Sequence, residues 1–356
     1  MKNLLLACLT VLYLLANTCP VVQAMCREDI AKINIRREKH FKYWTADSNA
    51  KKILVEYVKD VVNPNSQNFI PVPERIAVFD CDGTLIGERN PYYFEGLMLL
   101  YRNADPNVPL KCKNAKATAQ IRSIIDGGSM PSQVWQELEQ AYVDCLAGQT
   151  PEEYREYVRH YITTEKVEGY SNLKIGEEFF LPMVEIVSYL RNNKFSIYIV
   201  TGSERDEMRV YCEPLKIPYQ NIIGSDHSIT TEKMGSSDSS RYFYGAAGNE
   251  KIVRGNELTA KNLNFNKIIA MNREIGMRPV LAFGNGSGDM GMFNYTVMNN
   301  KHRTLAFAVL CDDTERENGS LKSAEKMRKN CEKYGWIPIS MKNDFATIYG
   351  YDVKKL

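Results

Sequence analysis

Hydrophobic residues occur along the chain in two patterns, short continuous runs and longer stretches with helical spacing. The short runs end next to polar or turn-forming residues, which is typical of buried parallel strands that lead into loops. These runs lie at residues 75–79, 195–200, 219–223, 279–283 and 304–310. Stretches with helical spacing lie at residues 43–62, 179–191 and 267–275. Because the two kinds of segment alternate, the pattern predicts a doubly wound α/β fold with a Rossmann-like parallel sheet.

One long interval departs from this alternation. It is rich in Tyr, Glu, Leu and Ala and has helical spacing at residues 92–101, 115–125, 131–146 and 151–162. We therefore expect a mostly helical domain, residues 87–176, inserted into an α/β core made of residues 25–86 and 177–356. Residues 222–252 interleave Gly, Ser and Thr with β-formers and predict a hairpin, and residues 336–339 predict an edge strand.

The N-terminus has the pattern of a cleavable export signal. Lys2 precedes an apolar run at residues 4–15, which is too short to span a bilayer as a permanent anchor. Val22 and Ala24 place a β-branched and a small residue where signal cleavage sites have them. We expect cleavage after Ala24 and a secreted, periplasmic or lumenal protein without stable membrane insertion. The alternatives are a buried N-terminal helix and a retained anchor.

The cysteine count is odd once this signal is removed. The chain has nine cysteines, and Cys8 and Cys19 belong to the expected signal. An odd number in an oxidising compartment needs an explanation. If Cys81 stays a buried thiol, the six remaining cysteines could form three disulfides. Sequence proximity alone suggests two of the pairs. The expected pairs are Cys112 with Cys145 and Cys311 with Cys331. The other interpretation is that most of the cysteines are free buried thiols.

Composition and charge favour a small-molecule ligand. The chain is 44% hydrophobic and 25% charged, which is an ordinary globular composition. Its 45 Lys and Arg nearly balance its 43 Asp and Glu, giving a formal charge of +2. This balance supplies no electrostatic reason to expect binding to nucleic acid or to an anionic membrane. The sequence leaves the oligomeric state open.

Two aspartates follow the first predicted strand. Asp80 and Asp82 are two residues apart, so in an extended segment their side chains face the same way. Gly83 lets the chain turn sharply after them. Ligands of parallel α/β sheets bind at the carboxyl ends of the strands, where these residues lie. Cleavage of a phosphate ester needs a nucleophile and an acid for the leaving group, and this pair of carboxylates could supply both.

The run Asp80-Cys81-Asp82-Gly83-Thr84-Leu85, after an apolar strand, resembles motif I of the haloacid dehalogenase (HAD) superfamily. Residues 197–203 are similar to motif II, a strand that ends in a hydroxyl residue. Lys267 fits the lysine of motif III better than Lys251 or Lys261, because it opens the helix that leads into the strand at 279–283. Residues 280–289 resemble the acidic motif IV, except that Asn285 takes the position of the first aspartate.

The resemblance is closest to the phosphoserine-phosphatase-like branch of the superfamily, whose helical cap follows motif I. It implies a HAD core with a cap, and a Mg²⁺-dependent phosphomonoester hydrolase that works through an aspartyl-phosphate on a small phosphorylated metabolite. The catalytic residues it implies are Asp80 as nucleophile and Asp82 as general acid and base. The phosphate ligands it implies are the Thr201 hydroxyl, the Gly202 amide and Lys267. The Mg²⁺ ligands it implies are Asp80, the Asp82 backbone carbonyl, Asp289 and Asn285.

Several alternatives stay open. Glu88 and Arg89 lie close to where phosphoserine phosphatases carry a glutamate for the substrate amine, but both could also be solvated loop charges. A phosphotransferase or phosphomutase would share all four motifs. An exported phosphate-ester-binding protein with a decayed site is the alternative from another class, and Asn285 is the residue that motivates it.

Overall fold

The structure of the protein is a computed structural model, which describes residues 25–88, 93–108, 113–125, 132–235, 237–246 and 248–356. Its centre is a seven-stranded sheet with the strand order β4-β3-β2-β1-β5-β6-β7. The strands are β1 Ile76–Phe79, β2 Ser196–Glu204, β3 Ile222–Thr231, β4 Ile252–Ala260, β5 Leu281–Gly284, β6 Leu305–Leu310 and β7 Ile337–Ser340. All neighbouring pairs are parallel except β3 and β4. The predicted fold class, a Rossmann-like α/β sheet, is confirmed.

Helices precede, interrupt and follow this sheet. In chain order they are α1 Arg27–Ile30, α2 Asn49–Val62, α3 Tyr93–Ala104, α4 Ala115–Ile125, α5 Ser132–Leu146, α6 Pro151–Thr164, α7 Leu181–Asn192, α8 Arg205–Tyr211, α9 Phe265–Glu274, α10 Met290–Val297, α11 Leu321–Tyr334 and α12 Met341–Asp344. Helices α3 to α6 lie between β1 and β2, as the helical spacing of that interval predicts. The exact bounds of the inserted domain stay a prediction.

Side chains of the sheet contribute to two hydrophobic cores, one on each face of the sheet. Along β1, Ala77 and Phe79 pack with α2 and α7 on one side, while Ile76 and Val78 pack with α9, α10 and α11 on the other. This division follows from the alternation of side chains along a strand. The result is a three-layer α/β/α arrangement that fixes the strand ends in space.

The segments that lead into and out of the inserted helices run side by side. The N–H of Gly87 donates to the carbonyl of Glu178 (3.2 Å), and the N–H of Phe180 donates to the carbonyl of Leu85 (2.8 Å). Ile86 also forms a bridge with Phe179. The insertion therefore leaves and rejoins the sheet at one place, next to the loop that follows β1.

A buried cation joins the inserted helices to the edge of the sheet. Arg254 of β4 pairs with Glu204 at the end of β2 (3.0 Å), and its guanidinium lies 4.1 Å from the centre of the Tyr154 ring of α6. Its backbone N–H donates to the carbonyl of Gln149, and its carbonyl accepts from the N–H of Gly148, both at 2.8 Å. Arg254 is buried, so these contacts exclude water.

Two predicted elements have different bounds in the structure. The helix expected at 43–62 begins at Asn49, because Trp44 instead forms a bridge with Phe345 and the Ser48 side chain accepts from the N–H of Lys51 (3.2 Å). The strand expected at 219–223 begins at Ile222 and continues to Thr231. It pairs antiparallel with β4, which begins at Ile252, so the second strand of the hairpin expected within 222–252 lies beyond that interval.

The predicted disulfide between Cys311 and Cys331 is wrong, since both are free thiols. The N–H of Ser320, at the start of α11, donates to the carbonyl of Cys311 (2.8 Å). Cys331 lies near the far end of α11, about 16 Å further along the helix axis. Bridged cysteines have Cα atoms within about 7 Å of each other, so this pair cannot form. Cys112 lies outside the described residues, and its pairing with Cys145 stays a prediction.

The export signal, residues 1–24, also lies outside the described residues, and export stays a prediction. Among the helices that the structure describes, none combines the length and the hydropathy that a membrane span requires.

A buried carboxyl group in α7 makes the stability of the fold depend on pH. The two carboxylate oxygens of Glu185 accept from the backbone N–H groups of Lys42 (2.7 Å) and Tyr43 (3.1 Å). Burial raises the pKa of Glu185 from 4.5 to about 7. Between these values the folded protein holds a proton that the unfolded chain releases. The stability that this extra proton gives to the folded protein is therefore complete below about pH 4.5, and it is lost as the pH rises through about 7.

Because of Glu185, we expect the free energy of unfolding to fall by up to about 3 kcal/mol as the pH rises from 4.5 to 8. Glu185→Gln cannot ionise, so it should flatten this part of the profile. Urea unfolding at several pH values measures the slope, with the exposed Glu168→Gln as the matched control. Equal slopes for Glu185→Gln and the unaltered protein would contradict this interpretation.

Candidate active site

The strand order brings two loops together at the centre of the sheet. The chain passes from β1 to β2 and β3 on one side and returns to β5 on the other, so β1 and β5 flank the point where the direction of winding changes. The N–H of Asp80 donates to the carbonyl of Phe283 (2.9 Å), which sets the end of β1 beside the end of β5. Crevices of this kind are where doubly wound folds bind ligands.

A tight turn after β1 orients the first group of residues. The N–H groups of Thr84 and Leu85 donate to the carbonyl of Cys81 at 3.1 and 2.8 Å. Gly83 has a φ of 67°, a conformation that other residues rarely adopt. A Cβ atom at Gly83 would lie 2.0 Å from the side-chain nitrogen of Asn285, so a larger residue would also displace the Asn285 amide.

Lys267 lies between two carboxylates at the centre of the site. Its Nζ atom is 2.6 Å from Oδ1 of Asp80 and 2.7 Å from Oδ1 of Asp289. All three side chains are buried. Lys267 belongs to α9, Asp80 follows β1 and Asp289 follows β5, so three separate parts of the chain meet at one ammonium group. The sequence predicted this lysine among three candidates, and the structure places it beside the proposed nucleophile.

The pKa values reflect this crowding of charge. Burial and the neighbouring Asp289 raise the pKa of Asp80 well above its ordinary value, although Lys267 opposes the shift. Burial lowers the pKa of Lys267, but Asp289 and Asp80 outweigh this effect and raise it. Lys267 therefore stays protonated, and one ammonium does not fully offset the carboxylates around it.

Asp289 is held by the loop that follows β5. Its Oδ2 atom accepts from the backbone N–H groups of Asn285 and Gly286, both at 3.0 Å. A Cβ atom at Gly284 would lie 2.7 Å from this carboxylate, so the absence of a side chain there lets Asp289 fold back against the strand end. Oδ2 of Asp289 is thus bonded to the loop, and Oδ1 is bonded to Lys267.

Asn285, at the position where motif IV usually has an aspartate, contacts Glu88. Its side-chain N–H donates to Oε2 of Glu88 (3.0 Å), and its side-chain oxygen accepts from the Thr84 hydroxyl at 3.5 Å. An aspartate could not donate this hydrogen bond and would set two carboxylates side by side. The amide therefore suits the neighbouring glutamate. Arg89, the other predicted substrate residue, lies outside the described residues.

The end of β2 forms another wall of the site. Thr201 is buried, and its hydroxyl oxygen accepts from the backbone N–H of Ser203 (3.1 Å). Gly202 and Ser203 line the cavity at this strand. The phosphate-binding role of Thr201, like that of Gly202, stays a prediction. Sequence reasoning assigned no role to Ser203, because the register of β2 shifts between Val200 and Glu204 and strand alternation does not predict where its side chain lies.

The site opens into a cavity of about 860 Å³. Asp80, Asp82 and Lys267 lie on its wall, and Trp135 of α5 lines it from the inserted helices. Lys261 approaches the Trp135 ring at 5.4 Å. Sequence reasoning missed Trp135, because its spacing within α5 is that of an ordinary packed residue.

Cys81, between the two aspartates, does not face the cavity. Its sulfur lies 4.0 Å from the sulfur of Cys212, and both residues are buried. The contact with Cys212 and burial raise the pKa of the Cys81 thiol well above its ordinary value. Because the thiolate is the reactive form, Cys81 is a packed, unreactive thiol.

Searches with the sequence find no matching family model and no matching curated protein. The fold resembles a conserved protein of unknown function from Anaerococcus prevotii DSM 20548, with a TM-score of 0.50 and 14% identity over 90% of this chain and 98% of that one. Cytosolic 5'-nucleotidase IIIB bound to cytidine has a TM-score of 0.46 and 10% identity over 82% of this chain and 86% of that one. A phosphoserine phosphohydrolase-like protein from Francisella tularensis subsp. tularensis SCHU S4 has a TM-score of 0.36 and 18% identity over 66% of this chain and 87% of that one. At these identities only the fold is compared.

Proposed function

We propose that the protein is a Mg²⁺-dependent phosphomonoester hydrolase that works through an aspartyl-phosphate on Asp80. The observation that carries the proposal is the meeting of Asp80, Lys267 and Asp289 in the crevice between β1 and β5, with Asp82 on the wall of the same cavity. A buried nucleophile, a fixed cation and a second carboxylate are the parts that in-line phosphoryl transfer requires.

In the first step, an oxygen of Asp80 attacks phosphorus and the bond from phosphorus to the ester oxygen breaks. Asp82, as a carboxylic acid, gives its proton to the departing oxygen, so the alcohol leaves as a neutral molecule. Lys267 holds Oδ1 of Asp80 (2.6 Å), which leaves Oδ2 as the attacking oxygen. The ammonium also offsets negative charge as it builds up at the phosphoryl oxygens.

In the second step, the Asp82 carboxylate takes a proton from a water molecule that attacks phosphorus. The bond between phosphorus and the Asp80 oxygen breaks, which releases phosphate and restores both carboxyl groups to their starting states. Asp82 therefore acts first as acid and then as base.

The donor chemistry of the site fits Mg²⁺, which prefers carboxylate, carbonyl and amide oxygens. Within the described residues no three acidic, His or Cys side chains already form a metal-binding cluster, so the fit rests on donor type and charge. Asp80, Asp82 and Asp289 bring three carboxyl groups to one ammonium, and a divalent cation would relieve the repulsion by which Asp289 adds to the raised pKa of Asp80. Asp80, the Asp82 carbonyl, Asp289 and Asn285 would hold the ion, which would supply charge neutralisation at the phosphoryl group.

The proposed location is outside the cytoplasm, and its support is the N-terminal pattern alone. The proposed substrate is a small phosphomonoester, since the site lies in a cavity at the strand ends and the chain carries almost no net charge.

Hydrolysis of p-nitrophenyl phosphate tests the proposal. With Mg²⁺ present we expect turnover, and removal of the metal with EDTA should lower the rate by at least about 100-fold, because metal ions contribute several kcal/mol to such steps. Added Mg²⁺ should restore the rate. Analysis of products with an added alcohol separates the hydrolase from a phosphotransferase. No turnover across a panel of aryl phosphates would favour a binding protein instead.

A further inference from the structure

The hydroxyl group of Ser203 contacts one of the two proposed catalytic aspartates. Its Oγ atom donates to Oδ2 of Asp82 at 2.7 Å. Ser203 is 4% exposed and Asp82 9%, so the contact is shielded from bulk water. A short hydrogen bond to a carboxylate is among the stronger interactions of a neutral donor.

The backbone around Ser203 is fixed on both sides. Before it, the carbonyl of Gly202 accepts from the hydroxyl of Ser225 on β3 (2.6 Å). The N–H of Ser203 itself donates to Oγ1 of Thr201 (3.1 Å). After it, Glu204 pairs with Arg254 (3.0 Å). The hydroxyl of Ser203 is therefore presented to Asp82 from a part of β2 that has little freedom to move.

This contact is compatible with both protonation states of Asp82. A serine hydroxyl can donate to an ionised carboxylate and equally to the carbonyl oxygen of a neutral carboxylic acid. The hydrogen bond can thus persist while Asp82 gives up a proton in one step and takes one in the next. What it restrains is the plane of the carboxyl group, and so the direction in which the proton is delivered.

We propose that Ser203 is a positioning residue for Asp82, which holds the carboxyl group in line with the oxygen of the leaving alcohol. This inference rests on the proposed function. General acid catalysis matters when the leaving oxygen is strongly basic and little when it is weakly basic. Loss of the Ser203 hydroxyl should therefore affect alkyl phosphates much more than p-nitrophenyl phosphate.

The test compares kcat/KM for benzyl phosphate and p-nitrophenyl phosphate, which are similar in size but differ in the basicity of the leaving oxygen. The ratio kcat/KM reports on the first step and not on hydrolysis of the intermediate. For Ser203→Ala we expect a loss of about 10- to 100-fold with benzyl phosphate, a fraction of what a general acid contributes, and less than about threefold with p-nitrophenyl phosphate. Ser203→Thr, which keeps the hydroxyl, should retain most of the activity with both.

Ser188→Ala is the matched control, because it removes a buried hydroxyl in α7 that bonds to the backbone at Ile33 and Ile35 and not to β2 or Asp82. It should change both rates by the same factor. Equal losses with the two substrates for Ser203→Ala, or no loss with either, would overturn the inference while leaving the proposed function in place. If the unaltered protein hydrolyses neither ester, the proposed function fails and the inference with it. Should Ser203→Ala not fold, Ser203→Cys keeps the shape with a weaker donor and should show the same selective loss.

Discussion

Asp80→Asn is expected to lower kcat for hydrolysis of any phosphate ester by at least about 10⁴-fold, as removal of a covalent nucleophile does elsewhere. An amide oxygen is too weak a nucleophile to form the intermediate, yet it can still accept the hydrogen bond from Lys267. We expect the fold to be retained for this reason. Steady-state assays with p-nitrophenyl phosphate and thermal unfolding of both proteins measure the two effects.

The matched control is Asp47→Asn, at an exposed position outside the cavity, which should leave the rate unchanged. A trapping experiment adds a second measurement, because acid quenching of the unaltered protein with a labelled phosphate ester should recover phosphate bound to Asp80. Substantial activity in Asp80→Asn would sink the assignment of Asp80 as nucleophile.

Lys267→Met should cost stability as well as activity. The substitution keeps a side chain of similar length but leaves the buried carboxylates of Asp80 and Asp289 without the ammonium that lies 2.6 and 2.7 Å from them. Removal of one partner from a buried ion pair typically costs about 3–5 kcal/mol, and we expect a loss in this range at neutral pH without added metal. Urea unfolding in the presence of EDTA measures it.

Lys322→Met, on the exposed face of α11, is the control for the general effect of replacing a lysine by methionine, and it should change stability by less than about 0.5 kcal/mol. Lys267→Arg should not restore the activity, since the guanidinium is planar and larger and cannot occupy the same point between two carboxylates. Unfolding free energies that coincide for Lys267→Met and Lys322→Met would show that the ammonium does not stabilise this site.

The sequence predicted the parts of the site that depend on local order. Asp80 and Asp82 follow a short apolar strand, and their position at its end could be inferred from burial and turn residues alone. Lys267 could be placed because its helix precedes the next central strand. Each inference needed only the succession of elements, and the sheet order then brings their ends together.

Contacts between distant segments could not be predicted in this way. The bond from Asn285 to Glu88 joins residues far apart in the sequence, and its geometry depends on the turn at Gly83. Trp135 reaches the cavity only through the docking of the inserted helices. The start of α2 was placed too early, because the helical spacing continues through Trp44 although that residue bridges to Phe345. In each case tertiary contacts decided what local pattern left open.

Arg254 limits how far the inserted helices can move as a body. A swing of α6 away from the sheet would take the Tyr154 ring from a buried cation and break the two backbone hydrogen bonds at residues 148 and 149. A desolvated cation–π contact is worth about 2 kcal/mol, and each hydrogen bond about 1 kcal/mol. These contacts therefore couple any movement of α6 to movement of the edge strand β4. We expect exchange of ligands to follow faster rearrangements of side chains in the cavity wall, such as Trp135 and Lys261.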